Sequence, residues 1–109
     1  MKRLYLAGPM TGLPEFNYPA FNAEAARLRA LGYEVENPAE NPLPADAPWN
    51  ECLRVAVRQM LTCDVVATLP NWQDSPGAQL EVYIADRLGI GACPSHALTE
   101  HQMPTCSSL

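Results

Sequence analysis

Apolar and polar residues follow one another along this chain in two different periods, which predict strands separated by helices. The first strand has leucines on one face and a tyrosine and an alanine on the other, because side chains alternate across a strand. The predicted strands are residues 3–7, 33–36, 65–69 and, from a shorter and interrupted pattern, 90–94. The third is rich in β-branched residues, as are strands buried on both faces of a parallel sheet.

Three helices are predicted between these strands from apolar residues spaced three and four apart. They cover residues 19–31, 49–61 and 75–89. Their inward positions are expected at Phe21, Ala25, Leu28 and Leu31, at Leu53, Val57, Met60 and Leu61, and at Ala78, Glu81, Ala85 and Leu88. Strands joined by helices of this length form right-handed βαβ units, so the pattern predicts an α/β fold with a parallel sheet.

The third helix carries the most informative residue of the chain, the carboxylate of Glu81 on an otherwise small and apolar stripe. Both ends of this helix are marked, because Ser75 suits the N-cap, Pro76 the first helical position and Gly89 the left-handed residue after the last turn. A buried, unpaired carboxylate costs several kcal/mol or stays protonated to higher pH. Glu81 is therefore either a functional acid or a structural acid paired with a Tyr or an Arg.

Three loops are expected at the ligand-binding edge of the sheet. In parallel α/β folds, ligands bind beyond the carboxyl ends of the strands. The loops that follow the first three strands are residues 8–14, 37–48 and 70–75. The second of these contains four prolines, which argue against regular structure there.

Two further features converge on the same edge as Glu81. The N–H groups at the start of the third helix favour a phosphate, hydroxyl or carboxylate, and Gly77 permits a close approach to the backbone. Tyr5, on the first strand, could donate its phenol to the Glu81 carboxylate and orient it. The alternatives are ordinary: any helix start has such N–H groups, and a core tyrosine can find an incidental partner.

Length and composition indicate one globular domain of 109 residues, of which 48% are hydrophobic and 17% are charged. We expect the domain over residues 1–92 and a loosely ordered tail over 93–109. With a net charge of −5 and no basic run, the chain is not expected to bind nucleic acid or an anionic membrane surface. It has no apolar run of the roughly 20 residues that span a membrane and no signal-peptide pattern, so we expect a cytoplasmic protein.

The remaining sequence indicates neither a cofactor nor a metal. It has no Walker-type phosphate loop and no Gly-x-Gly-x-x-Gly segment, so neither ATP nor NAD is expected. The four cysteines lack the spacing of a disulfide framework, and reduced thiols are expected. Four ligand-type side chains near the C-terminus have a spacing that fits no standard zinc module: Cys93, His96, His101 and Cys106.

Several segments together resemble one known family. They are the tyrosine and Gly-Pro turn of residues 5–10, the segments 16–22 and 32–38, and Trp72 ahead of Ser75-Pro76-Gly77-Ala78 and Glu81. Between residues 3 and 90 the chain is similar to the small nucleoside 2-deoxyribosyltransferase-like family. The Ser, Gly and Glu spacing after the third strand is the most specific part. The resemblance implies a flavodoxin-like or Rossmann-like three-layer sandwich with a parallel sheet of four or five strands.

The resemblance also implies an activity, cleavage of the bond between a base and deoxyribose in a nucleoside or its 5′-monophosphate. Glu81 would be the nucleophile that forms a glycosyl-enzyme ester, and Tyr5 would hold it. Ser75 and Gly77 would bind the sugar or a 5′-phosphate, and Trp72 is a possible lid. The full set of expected substrate contacts is Gly8, Pro9, Met10, Asn17, Asn37, Trp72, Asp74, Ser75 and Gly77. The family also suggests a homo-oligomer, a dimer or higher.

One position departs from the family pattern. Where characterised relatives have an Asp in the second helix, this chain aligns Ala56. Asp64 is a poor substitute because it opens the third strand at the opposite edge of the sheet, whereas Asp74 lies in a ligand-side loop. Two alternatives to an enzyme therefore stay open. One is a binding protein for a nucleotide or an ADP-ribose-like ligand, and the other is a scaffold in which Glu81 is only structural.

Overall fold

The computed structural model of the chain describes residues 2–44 and 46–99. Its four strands are β1 (Arg3–Ala7), β2 (Glu34–Glu36), β3 (Val65–Thr68) and β4 (Gly91–Pro94). Its three α-helices are α1 (Tyr18–Ala30), α2 (Trp49–Met60) and α3 (Pro76–Arg87). Short 3₁₀ turns lie at Pro14–Asn17, Pro38–Glu40, Trp72–Asp74 and Ser95–Ala97.

The strands form one parallel sheet in the order β2-β1-β3-β4. Tyr5 in the central β1 is in register with Val66 of β3, and Ala67 of β3 is in register with Cys93 of β4. The chain moves to one side of β1 to form β2 and then to the other side to form β3 and β4. The fold is therefore the predicted small α/β, flavodoxin-like sandwich, with four strands in the described part of the chain.

The alternation of side chains along β1 divides the core into two layers, as its sequence predicts. Leu4 and Leu6 pack on the side of α1, and Tyr5 and Ala7 pack on the side of α2 and α3. The first layer is completed by residues that include Phe21, Ala25, Leu28, Val35 and Val65. The second includes Ala56, Met60, Val66, Ala78 and Ala85.

The helix ends confirm two predictions and correct two others. Ser75 caps α3, since its Oγ accepts the Ala78 N–H at 3.2 Å, and Gly89 takes a left-handed φ of 77° after the last turn. Leu61 and Leu88 were expected to face inward, but they are 51% and 59% exposed. Each lies at the residue where its helix ends, so the apolar stripe does not continue through it.

Gly8, directly after β1, lies where two strand ends approach closely. A Cβ on this residue would lie 2.8 Å from the Leu69 Cβ at the end of β3, closer than side chains pack. The glycine therefore has a packing reason that is independent of any ligand.

The ordered chain continues beyond the expected domain end at residue 92. β4 extends to Pro94, and Leu98 is buried at 3% exposure in the core layer on the side of α1. The Arg27 guanidinium of α1 donates to the carbonyls of Ser95 and Leu98 at 2.8 and 3.0 Å. These contacts connect residues distant in sequence, so local patterning did not reveal them. The predicted tail from residue 100 onward, including His101 and Cys106, lies outside the described residues.

Two observations concern membrane-spanning helices and disulfides. Within residues 2–44 and 46–99, none of the helices has both the length and the apolar content needed to cross a bilayer. The thiols of Cys52 and Cys63 are not joined in a disulfide.

We expect Leu98→Ala to destabilise the fold by about 2–4 kcal/mol, because it removes a fully buried side chain and leaves a cavity. Leu61→Ala is the matched control, since the same truncation at a leucine that is 51% exposed should cost only about 0.5 kcal/mol. The measurement is the free energy of unfolding in urea. Equal losses in the two variants would contradict the packing of residues 95–98 on α1.

Candidate functional site

A cavity of about 450 Å³ opens beyond the carboxyl end of β1, between α2 and the start of α3. Its inner end is formed by β1 and α3 side chains, including Tyr5, Ala78 and Glu81. This is the position in a parallel sheet at which ligands bind, next to the point where the strand order reverses.

The inner end of the cavity holds a buried acid and its partner. Glu81 is 6% exposed and Tyr5 is 1% exposed. The Tyr5 hydroxyl donates to the Glu81 Oε2 at 2.5 Å. Because Tyr5 belongs to the central strand, paired on both sides, the phenol is held rigidly and fixes the orientation of the carboxylate.

The second carboxylate oxygen of Glu81, Oε1, has no hydrogen-bond partner in the described chain. Every side-chain oxygen that is completely buried in the described chain does have a hydrogen-bond partner. Oε1 is therefore not completely enclosed, and the cavity that Glu81 lines gives access to it. One oxygen is thus occupied by Tyr5 while the other can contact a ligand.

Burial changes the acidity of both partners. Loss of water around the carboxylate raises the pKa of Glu81 from 4.5 to about 7, while the Tyr5 hydrogen bond opposes this rise. The pKa of Tyr5 is raised well above 10, chiefly by burial and then by the adjacent Glu81 charge. Tyr5 therefore remains a hydrogen-bond donor at neutral pH, while Glu81 titrates near it.

The start of α3 borders the acid. Ser75 and Gly77 both line the cavity. A Cβ built on Gly77 would make only ordinary contact, 3.8 Å from the Trp49 ring, so packing does not require a glycine here. Its missing side chain instead leaves the backbone open to the cavity.

The outer part of the cavity is mostly apolar, with Asn41 as a polar exception. The proline-rich stretch after β2 forms one wall, and α2 forms another. Lining residues from these segments are Pro38, Asn41, Leu43, Pro44, Ala47, Trp49, Cys52, Leu53 and Ala56.

Three aromatic side chains, Phe16, Tyr18 and Trp49, line the cavity while remaining 39–53% exposed, and we call them the aromatic rim. The rings of Phe16 and Tyr18 lie 5.8 Å apart at a tilt of 43°. The backbone that carries Phe16 is unusual, since Glu15, Phe16 and Asn17 all have left-handed φ values of 50–61°.

A family model described as "Domain of unknown function (DUF4406)" matches residues 2–93, which is most of the chain. The chain belongs to the DUF4406 family. The match spans every residue that lines the cavity, from Tyr5 to Glu81. No curated protein matches the chain in sequence.

The fold of this DUF4406 chain brings six of the sequence-predicted site residues to one cavity. They are Tyr5, Gly8, Met10, Ser75, Gly77 and Glu81. Three of them come from β1 and the loop after it, and three from the start of α3. Because β1 and α3 lie next to each other in the fold, the site combines residues from opposite ends of the matched region.

Five other predicted contacts do not line the cavity. Two of them hold the surrounding loops: the Asn17 side chain donates to the Pro9 carbonyl at 3.0 Å, and the buried Asn37 accepts from the Ala39 N–H at 3.0 Å. Pro9 takes part only through this backbone carbonyl. The side-chain amides of Asn17 and Asn37 are therefore used to hold the fold.

Trp72 and Asp74 lie outside the cavity because the 3₁₀ turn Trp72–Asp74 projects them away from it. Trp72 lines a separate groove with Val82, Tyr83 and neighbouring residues on the other side of α3. Asp74 is exposed. Proximity to Ser75 in sequence did not reveal this direction, since the extended backbone at Ser75 separates the 3₁₀ turn from the helix.

The position of the missing Asp, which is Ala56 here, and its considered substitute Asp64 lie at opposite edges of the sheet. Ala56 is 8% exposed and lines the cavity, so the α2 position that departs from the resembled family faces Glu81's pocket. Asp64 lies at the amino end of β3, where its Oδ2 accepts the Arg3 backbone N–H at 3.0 Å. Asp64 is therefore a structural residue on the far edge of the sheet.

The sequence interpretation missed most of the aromatic rim. None of its three rings is among the substrate contacts that the resemblance implies. The sequence does place three aromatic residues near the predicted starts of two helices. Helical periodicity, however, assigns neighbouring residues to the core and gives these three no role. Within the described residues, no group of three or more His, Cys, Asp or Glu side chains could hold a metal ion.

The raised pKa of Glu81 predicts a pH-dependent stability. The folded chain holds the carboxyl proton of Glu81 more tightly than the unfolded chain does. The free energy of unfolding that this proton contributes is fully present below pH 4.5 and is lost as the pH rises through about 7. The difference corresponds to about 3 kcal/mol. Glu81→Gln should therefore raise the melting temperature at pH 8 and have little effect at pH 4.5. Thermal unfolding of both proteins across this range checks it.

The matched control is Glu51→Gln, which removes an exposed carboxylate on α2 that does not line the cavity. Its melting temperature should follow that of the parent at every pH. A Glu81→Gln effect that is the same at pH 4.5 and pH 8 would show that Glu81 has an ordinary acidity.

Proposed function

We propose that this chain cleaves the N-glycosidic bond of a deoxynucleoside or a deoxynucleoside 5′-monophosphate, with Glu81 as the nucleophile. The observation that carries the proposal is the Glu81 carboxylate at the inner end of the cavity, with Oε2 bound by Tyr5 and Oε1 open to a ligand. A nucleophilic carboxylate needs this combination of fixed orientation and one accessible oxygen.

The chemistry requires two displacements at one carbon. In the first, a Glu81 oxygen bonds to the anomeric carbon while the carbon–nitrogen bond breaks. The bonding pair leaves with the base, which takes a proton from solvent. In the second, water or the nitrogen of another base attacks the same carbon and loses a proton to solvent, while the ester bond breaks and its electron pair returns to Glu81. Both transition states resemble an oxocarbenium ion, which a nearby carboxylate stabilises.

The raised pKa suits this role. A carboxylate that titrates near neutral pH is largely ionised just above it and is more basic than a solvated glutamate. Tyr5 is a positioning residue in this scheme, because it contacts the nucleophile rather than the substrate.

The rest of the cavity supplies surfaces for the other parts of a nucleoside. Ser75 and the Gly77 backbone lie near the acid, where the sugar would be. Gly8 and Met10 border the region of the base, and the aromatic rim offers rings on which a base can stack.

One further observation supports the proposal. The resemblance to nucleoside 2-deoxyribosyltransferase-like proteins includes Tyr5, Ser75, Gly77 and Glu81, which all meet at the cavity.

The proposal includes a homo-oligomer, because apolar side chains on and after α3 are left exposed: Leu80, Tyr83 and Leu88.

We expect the parent protein to release free base from deoxynucleosides and Glu81→Gln to lose more than about 10³-fold of that rate, because the amide cannot form the ester. Products are read by chromatography. A slowly hydrolysed 2-fluoro sugar should leave a mass adduct on the peptide containing Glu81. Glu51→Gln is the control and should retain activity. Base release by Glu81→Gln at the parental rate would remove Glu81 from the mechanism.

We expect activity to rise with pH through about 7 as Glu81 ionises, and Tyr5→Phe to move this rise to higher pH, because the phenol lowers the pKa of Glu81. The loss should be several-fold at pH 6 and small at pH 9. Tyr33→Phe, in the core layer on the other face of the sheet, is the control and should leave the profile unchanged. A Tyr5→Phe loss that is uniform across pH would contradict this role.

A second candidate is a binding protein for a nucleotide or an ADP-ribose-like ligand that lacks turnover. The observation in its favour is Ala56, which leaves the cavity without a second carboxylate among the described residues that line it. The same incubations separate the two functions. Tight uptake with recovery of unchanged ligand supports the binding protein, and released base supports the enzyme.

A further inference from the structure

The described residues that line the cavity carry negative charge and no positive charge. Glu81 is the only Asp or Glu among the described residues that line it, and none of those residues is a Lys, Arg or His. The chain as a whole has a net charge of −5. Among the described residues, a ligand that enters this cavity therefore meets one acid and no cationic side chain.

The basic residues are committed elsewhere. The chain has seven lysines and arginines, and all seven lie in the described part. Arg3 pairs with Glu34 and Glu36, Arg27 with Glu24, and Arg29 with Glu40. The others also lie outside the cavity lining: Lys2, Arg54, Arg58 and Arg87.

The start of α3 does not replace a cation. A helix start binds phosphate through several N–H groups that point at it. Here Pro76 has no N–H, and the Ala78 N–H already donates to the Ser75 Oγ at 3.2 Å. The Gly77 N–H and the Ser75 hydroxyl hydrogen are left. Two such donors suit a sugar hydroxyl, whereas a phosphate dianion has three oxygens to satisfy.

We propose that this cavity selects uncharged ligands and discriminates against 5′-phosphates, so that its substrate class is the free deoxynucleoside. This rests on the proposed function for the sugar and base. The charge selection follows from the lining alone. A 5′-phosphate brought to the α3 start would lose water without gaining a cation, and it would lie in the same cavity as the Glu81 carboxylate. The apolar walls and aromatic rim disfavour the phosphate further but favour a base.

The first test compares matched pairs, thymidine with its 5′-monophosphate and deoxyadenosine with its 5′-monophosphate. Binding is measured by calorimetry on the Glu81→Gln variant, which removes the Glu81 charge and so isolates the effect of the missing cation, and base release is measured on the parent protein. We expect the 5′-monophosphates to bind at least about tenfold more weakly and to react with a correspondingly lower kcat/KM. Equal or tighter binding of the monophosphates would overturn the inference.

The outcomes separate this inference from the proposed function. Cleavage of monophosphates in preference to nucleosides contradicts the charge selection and leaves the glycosidic chemistry intact. Selective nucleoside binding without base release contradicts the enzyme and supports the charge selection. Failure of both ligand classes to bind contradicts both.

The second test supplies the missing cation. Trp49 is 53% exposed, and its ring lies beside Gly77 at the α3 start, so Trp49→Arg places a guanidinium there. Trp49→Gln is the matched control that removes the ring without adding charge. The ratio of monophosphate to nucleoside affinity should rise at least about tenfold in the Arg variant relative to the Gln variant, and 0.5–1 M salt should reduce that gain. An unchanged ratio would show that the lack of a cation does not cause the selection.

Discussion

One hydrogen bond, from the Tyr5 phenol to the Glu81 carboxylate, joins the central strand of the sheet to the helix that borders the cavity. Burial opposes ionisation of the acid, and the phenol partly restores it. The balance leaves a carboxyl group that changes charge near neutral pH while one of its oxygens remains open to a ligand. Without the phenol, the same burial would favour a protonated, chemically inert side chain.

The pair was predictable because each partner follows a local rule. Tyr5 lies on the α3 side of the sheet by simple alternation with Leu4 and Leu6, and Glu81 lies on the inward stripe with Ala78 and Ala85. The same rules failed where a helix ends. At Leu61 and Leu88 the spacing continues in the sequence, but the backbone leaves the helical path and the side chains turn toward solvent.

The remaining parts of the site depend on contacts between distant segments. The proline-rich stretch has no period to interpret, yet it forms a wall of the cavity because α2 brings its end back over the sheet edge. Leu98 is buried through the carbonyl contacts of Arg27, about seventy positions earlier in the chain. Trp72 and Asp74 show the reverse case, in which neighbours of a site residue in sequence point to another surface.

The left-handed run at Glu15, Phe16 and Asn17 has a consequence for how a ligand would be received. Non-glycine residues in this region cost roughly 1–2 kcal/mol each, so the surrounding contacts must maintain them, among them the Asn17 amide on the Pro9 carbonyl. A mouth built in this way is already organised before anything binds. The backbone that carries Phe16 is ordered when the protein folds. A planar ring that binds there would therefore cause little further loss of conformational entropy, and its affinity would be reduced little by that cost.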